Sequence, residues 1–217
     1  EDATKRRNAE IPVVFYSEDS HYSMTKTVHL EGIKTFHQIG MDMYRDQCPL
    51  DGIKGWPYEV PSKGGVLGPG EIDEAPLTKL VGFFARQGHP VIVVFNYGST
   101  FKGAYDNVEK AGQMIVDEIR AQSEDGEVEN VFEAKNDHGE IVATFRRLKY
   151  WIHVDGAFGL WAAAAPGLRH LAQGVDGADS WATDGHKWLN VPYDCGFAFV
   201  RDVDAHLAAL SPQGAAY

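Results

Sequence analysis

The stretch YWIHVDGAFG, residues 150–159, predicts a short apolar strand that ends in a carboxylate, Asp155, and runs into small residues. Nearly continuous hydrophobicity is typical of a strand that is covered on both faces of a parallel sheet. The carboxyl ends of such strands are where open α/β sheets bind their ligands. The stretch therefore predicts the class of fold and one edge of a functional site.

Similar apolar runs alternate with helical patterns along the rest of the chain, which predicts an α/β fold with a mostly parallel sheet flanked by helices. The predicted strands are residues 11–16, 91–97, 150–155, 180–183 and 196–201. The predicted helices are residues 23–31, 74–87, 107–121, 160–172 and 203–210.

Lys187 lies in the run ATDGHKWLNVPYDCG, residues 182–196, which is apolar and rich in turn formers. Lysine is almost never fully buried unless it is paired. Crowding by Trp188, Leu189 and the following strand predicts a partly dehydrated amine, which can form an imine with a carbonyl group. The alternative for the His186-Lys187 dipeptide alone is a solvated loop.

Four sets of residues, in the same order, resemble the group II pyridoxal-phosphate-dependent amino-acid decarboxylases. They are SEDSHYS (17–23), NYGSTFKGA (96–104), HVDGAFG with ADS (153–159 and 178–180), and HKW with VPYDCG (186–188 and 191–196). Together they extend over nearly the whole chain. The resemblance implies the large cofactor domain of a fold type I enzyme that binds pyridoxal 5'-phosphate.

The resemblance also implies roles for individual residues. Lys187 would hold the cofactor aldehyde, and Asp155 would pair with the ring nitrogen and keep it protonated. His21 would stack on one face of the ring and Ala157 on the other, and His186 would contact the phosphate. Lys187, His21 and Asp155 form the implied catalytic set.

Thr100, at a strand end, is carried over as a further cofactor or substrate contact. Simpler structural roles remain open for three of these residues. Thr100 could supply a turn hydroxyl, and His186 could be an ordinary exposed imidazole. His21 could be a turn histidine before a helix, with Ser20 or Ser23 as the helix cap.

By the same resemblance, residues 1–217 are the central part of the cofactor domain, incomplete at both ends. A Gly/Ser-rich phosphate-binding segment is expected before the first strand, and a mobile catalytic loop and a small domain after residue 217. Two apparent insertions, about 41–70 and 123–147, could shape substrate access or a subunit contact. The second predicts a β-hairpin in which residues 130–135 and 140–145 flank NDHG, residues 136–139.

The reaction implied is loss of the α-carboxylate from an L-amino acid, which gives an amine and carbon dioxide. An aromatic or heteroaromatic substrate is favoured, and a homodimer is expected from the family alone. A carbon-carbon lyase or an aminotransferase could use the same lysine and aspartate. Two other classes remain open, a metal-dependent hydrolase that uses His153, Asp155 and His186, and a non-catalytic binding module.

Composition limits the classes of function. The 217 residues are 44% hydrophobic and carry a formal net charge of -11, which disfavours nucleic-acid binding because that needs a basic face. No apolar run is long enough to predict a membrane span. A cytoplasmic location is expected, and Cys48 and Cys195, which do not make a disulfide framework, are compatible with a reducing compartment.

Overall fold

The computed structural model describes residues 3–123, 126–135 and 138–210. The strands are β1 (Val13–Phe15), β2 (Lys34–Thr35), β3 (Val91–Asn96), β4 (Glu129–Lys135), β5 (Ile141–Leu148), β6 (Tyr150–Asp155), β7 (Ser180–Asp184) and β8 (Gly196–Val200). The helices are α1 (Ala3–Asn8), α2 (Ser23–Leu30), α3 (Phe36–Met43), α4 (Glu74–Arg86), α5 (Val108–Gln122) and α6 (Val203–Leu210). Short 3-10 helices occur at Gly65–Leu67, Leu160–Ala164, Arg169–Ala172 and Val175–Gly177.

Within the described residues, six of the strands form one sheet in the order β2-β1-β3-β6-β7-β8, and β4 pairs separately with β5. Neighbouring strands are parallel except for β8, which runs antiparallel to β7. The predicted α/β class with a mostly parallel sheet is therefore confirmed. β6 begins and ends at the predicted residues, and the bounds of the other predicted strands differ from the structure by at most two residues.

The two faces of the sheet have different environments because side chains alternate along each strand. Ile152 and Val154 of β6 lie in the main core, where β1 and β3 pack against α3, α4 and α5. The opposite face carries a smaller cluster, in which Val14 and Val94 pack with Val28 of α2. His153 and Asp155 alternate with the core residues of β6 and therefore belong to this second face.

Phe15 lies at the centre of the main core and is fully buried. Its ring stacks on Phe36 at 5.2 Å and meets the edge of Phe84 at 5.7 Å. Phe15→Ala should lower the free energy of unfolding by about 3–5 kcal/mol, because it removes these contacts and leaves a cavity. Urea denaturation would measure the change, with Phe101→Ala, at an 84% exposed residue, as the control. A loss as small as that of the control would contradict this packing.

The predicted helix at 160–172 is wrong. The structure has two 3-10 segments there, Leu160–Ala164 and Arg169–Ala172. Pro166 and Gly167 lie between them. Proline removes a backbone donor and clashes with the preceding turn, and glycine weakens a helix further, so an α-helix cannot continue through this point.

Regular structure is present in both of the apparent insertions. α3 overlaps the start of the insertion at 41–70, and its first turn is a capping box formed by Thr35 and Gln38. β4 and β5 pair antiparallel as the predicted hairpin at 130–145. Asn136 and Asp137 of its predicted turn lie outside the described residues.

No helix in the described ranges combines the length and the apolar character that crossing a bilayer requires.

Candidate active site

The carboxyl ends of β3, β6 and β7 meet at one edge of the sheet. Asp155, the last residue of β6, pairs in register with Asn96 of β3 and Ala182 of β7. The Asp155 carboxylate accepts a hydrogen bond from the Ala157 backbone at 3.2 Å, which fixes the side chain in a tight turn. The predicted partner of the ring nitrogen therefore lies at the edge where α/β sheets collect ligands.

The small residues after Asp155 are needed for close packing against the end of β3. The Gly159 backbone N–H donates to the Tyr97 carbonyl at 2.8 Å. A Cβ atom at residue 159 would lie 2.5 Å from that carbonyl oxygen, which is closer than atoms can approach. Glycine at this position thus lets the turn after β6 fold back onto the neighbouring strand.

Lys187 lies in the turn after β7, beside the turn that follows Asp155. Its Nζ atom is 4.1 Å from the centroid of the Phe158 ring, a cation–π distance. The same atom forms an ion pair with Asp184 at 2.8 Å, and its side chain is 27% exposed. The sequence predicted the partial burial of Lys187 but not its partners Asp184 and Phe158. Asp184 could have been predicted as a partner of Lys187, because it lies three residues earlier in the same turn.

His186 is held by the backbone between β7 and β8. Its Nδ1 atom lies 3.0 Å from the Cys195 carbonyl oxygen and 3.2 Å from the Cys195 nitrogen. Its ring nitrogens also lie 3.7 Å from carboxylate oxygens of Asp184 and Asp194. His186 is thus a mostly buried, hydrogen-bonded residue rather than an ordinary exposed imidazole. Its role as a phosphate contact stays a prediction.

His21 lies just before α2. Its Nδ1 atom accepts a hydrogen bond from the Ser23 backbone at 3.3 Å and lies 2.9 Å from the Ser23 hydroxyl. These are the bonds of a turn histidine, although neither Ser20 nor Ser23 is the N-cap residue. That position belongs to Tyr22, which makes no side-chain capping bond. Stacking on a cofactor ring stays a prediction for His21.

Ala157 and Thr100 lie in the turns after β6 and β3. The Ala157 carbonyl accepts a hydrogen bond from the Asp184 backbone, which joins the turns after β6 and β7. Thr100 is exposed at the tip of its turn. The neighbouring Ser99 makes the local turn bonds, since its hydroxyl accepts from the Ala104 backbone at 3.2 Å. The Thr100 hydroxyl is thus accessible for the contact that the sequence predicts.

The geometry gives the metal-site alternative no support. Nδ1 of His153 is hydrogen-bonded to the Ser180 hydroxyl at 2.7 Å. Burial lowers the pKa of His153, while the nearby Asp155 carboxylate opposes this shift. Among the residues that the structure describes, no three His, Cys, Asp or Glu side chains are grouped to hold a metal ion.

A cleft of about 490 Å³ lies away from this edge, between α5 and β6. It is lined by Ile152, whose side chain is on the main-core face, and by residues of α5 such as Gly112. The predicted site residues do not line it.

The residues at the sheet edge fit pyridoxal phosphate in the chemistry of their functional groups. Lys187 supplies an amine for the aldehyde, and Asp155 supplies a carboxylate for the ring nitrogen. The turns that carry these two residues are in contact through Phe158. The fit to the phosphate group of the cofactor is less complete. His186, the predicted phosphate contact, lies beside the carboxylates of Asp184 and Asp194.

Comparison with known proteins gives the same family from independent observations. Residues 70–211 match the family model of the pyridoxal-dependent decarboxylase conserved domain. The structure superposes on an L-methionine decarboxylase from Streptomyces sp. 590 with a TM-score of 0.77 and 37% sequence identity, covering 92% of this chain and 44% of that one.

Two curated relatives extend the comparison. A tyrosine decarboxylase of Papaver somniferum is 36% identical over 73 residues, which are 34% of this chain and 14% of that protein. A glutamate decarboxylase-like protein of Gibberella zeae is 25% identical over 191 residues, 88% of this chain and 26% of that protein. The chain thus spans less than half the length of each of these relatives.

The family model covers well over half of the chain and includes the turns that carry Asp155 and Lys187. The chain therefore belongs to the pyridoxal-dependent decarboxylase family, which confirms the resemblance found in the sequence and the cofactor that it implied.

Proposed function

We propose that the full-length protein catalyses the pyridoxal-phosphate-dependent decarboxylation of an L-amino acid to an amine and carbon dioxide. The observation that carries the proposal is the placement of Lys187 against Phe158, in the turn that follows Asp155. One amine and one carboxylate thus lie at the same edge of the sheet. Family membership supports decarboxylation over the carbon-carbon lyase and aminotransferase alternatives.

Bound pyridoxal phosphate would supply an electron sink for the electrons that remain when carbon dioxide leaves. Asp155 would hold a proton at the pyridine nitrogen, because an opposite charge at hydrogen-bonding distance favours the charged form. Lys187 would bind the aldehyde covalently. His21 and Ala157 would position the ring from its two faces, and His186 and Thr100 would contact the cofactor at its margins.

For the substrate, we propose an aromatic or heteroaromatic L-amino acid, as the sequence indicates. L-Methionine is a second candidate, because the methionine decarboxylase similarity covers 92% of this chain. Turnover of tyrosine, tryptophan, histidine and methionine by the full-length protein would decide between them. Carbon dioxide and amine are the expected products, whereas a keto acid would identify an aminotransferase.

A homodimer and a cytoplasmic location stay predictions. The expected dimer depends on the resemblance to the family. Sedimentation of the full-length protein would test it, and a monomer that turns over substrate at full rate would contradict it.

Reduction of the cofactor complex tests the attachment site directly. Full-length protein with pyridoxal phosphate should show the yellow absorbance of a lysine-bound cofactor, and borohydride should fix the cofactor to the peptide that contains Lys187. Mass spectrometry of the digest would locate the label. Label on another lysine would overturn the assignment.

A further inference from the structure

Asn96 is a buried residue at the carboxyl end of β3, and it carries no role in the proposed chemistry. Its side-chain Nδ2 donates hydrogen bonds to the hydroxyls of Ser17 and Ser20, both at 3.1 Å. Its exposed fraction is 3%. An asparagine amide has two N–H donors, so both are used on this one loop.

The two serines belong to residues 17–22, which we call the His21 loop. The Glu18 backbone donates to the Val60 carbonyl at 3.0 Å, and two other side-chain contacts hold this loop from outside the sheet. Asp19 forms an ion pair with Lys102 at 3.1 Å, and Glu18 accepts from the Ser62 backbone at 3.0 Å. Neither contact involves a strand of the central sheet. In the part of the chain that the structure describes, the Asn96 amide is therefore the side-chain tie between the His21 loop and β3.

Asn96 itself is fixed by a buried carboxylate. Asp106 accepts from the Asn96 backbone at 2.6 Å and, with its other oxygen, from the Ile72 backbone at 2.7 Å. The Asp106 backbone donates back to the Asn96 carbonyl at 3.0 Å. Burial raises the pKa of Asp106 to about 7, although the two N–H donors favour its charged form. A buried hydrogen-bonded network of this kind specifies one arrangement of its members.

The position of Asn96 connects this network with the site. Asn96 is the register partner of Asp155, and the Tyr97 backbone donates to the Asp155 carbonyl at 2.8 Å. A rigid link therefore runs from Asp155 through Asn96 to Ser20, the residue before His21.

We propose that Asn96 is a positioning residue, which sets the placement of His21 relative to Asp155 by holding the His21 loop against the end of β3. This inference rests on the proposed function for the roles of His21 and Asp155. It assigns to Asn96 no contact with substrate or cofactor.

Asn96→Ala in the full-length protein should increase hydrogen exchange in peptides that cover residues 17–23 by about tenfold to a hundredfold in the cofactor-free state, because two buried hydrogen bonds are lost. It should also change the visible circular dichroism of the Lys187-bound cofactor, since that signal depends on how the ring is held. Ser17→Ala with Ser20→Ala removes the same bonds from the other side. It should reproduce both effects, and adding Asn96→Ala to it should have little further effect.

Asn8→Ala is the matched control. Asn8 is also buried, and its Nδ2 also makes two bonds, to the Tyr44 hydroxyl at 3.0 Å and the Gln87 carbonyl at 2.7 Å. This variant should destabilise the protein without a local change at residues 17–23. The serine double variant keeps the test decisive if Asn96→Ala does not fold.

Unchanged exchange at residues 17–23 and an unchanged cofactor signal in the serine variant would overturn the inference. The exchange measurement needs no cofactor. Failure of wild-type protein to bind pyridoxal phosphate would therefore count against the proposed function and leave the link between Asn96 and the loop to be decided by exchange.

Discussion

Lys187→Ala should reduce turnover by the full-length protein by more than about a thousandfold, because it removes the group that binds the cofactor covalently. The lysine-bound absorbance should disappear with it. Steady-state kinetics and the visible spectrum measure the two effects. Appreciable turnover with a normal spectrum would contradict the assignment.

The Lys187→Arg variant separates covalent binding of the cofactor from the ion pair with Asp184. Arginine keeps the positive charge beside Asp184 and over Phe158, so thermal stability should stay close to that of the wild type. Its guanidinium cannot replace the amine, so turnover should be lost as in Lys187→Ala. Lys34→Ala is the matched control, because Lys34 also pairs with an aspartate at 2.8 Å but lies at the far edge of the sheet. It should leave turnover unchanged, since exposed pairs contribute little.

Asp155→Asn should reduce kcat by about a thousandfold if the carboxylate raises the pKa of the pyridine nitrogen by about three units, at roughly 1.4 kcal/mol for each unit. Asparagine keeps an oxygen that can accept from the Ala157 backbone, so the turn should persist. The cofactor should still attach to Lys187. Steady-state kinetics together with borohydride labelling would show both results.

Asp73→Asn is the control for this substitution. The Asp73 carboxylate accepts from the Ala75 backbone at 3.1 Å, in the same two-residue arrangement as Asp155, but it caps α4. Its replacement should have little effect on turnover. Near-normal turnover of Asp155→Asn would show that this carboxylate does not tune the ring nitrogen.

Much of the sheet was predictable because its strands are local sequence features. Residues 150–155 form a strand at the predicted bounds, since a buried apolar run of this length suits a central parallel strand. The placement of Asp155 at a ligand-binding edge follows from the direction of the same strand. The helix predicted at 160–172 shows the limit of a prediction from hydrophobic periodicity. The Pro166-Gly167 pair prevents an α-helix there although the hydrophobic pattern favours one.

The site was predictable only in part. Lys187 and His186 stand out in the sequence because a His-Lys dipeptide lies within an apolar run. Phe158 gave no such signal, since its contact with Lys187 depends on how two turns meet. The surroundings of the His21 ring were likewise not predictable, because its local hydrogen bonds to Ser23 do not depend on what the ring faces.

The sequence by itself determined most of the strands, the class of fold and the residues that carry the family's motifs, because hydrophobic runs and turn residues act over a few neighbouring positions. Only the tertiary structure decided which of those residues meet. Asn96 and Ser17 are 79 residues apart in the chain, yet their side chains form one hydrogen bond. The packing of parallel strands decides such contacts, because it brings distant carboxyl ends to one edge of the sheet.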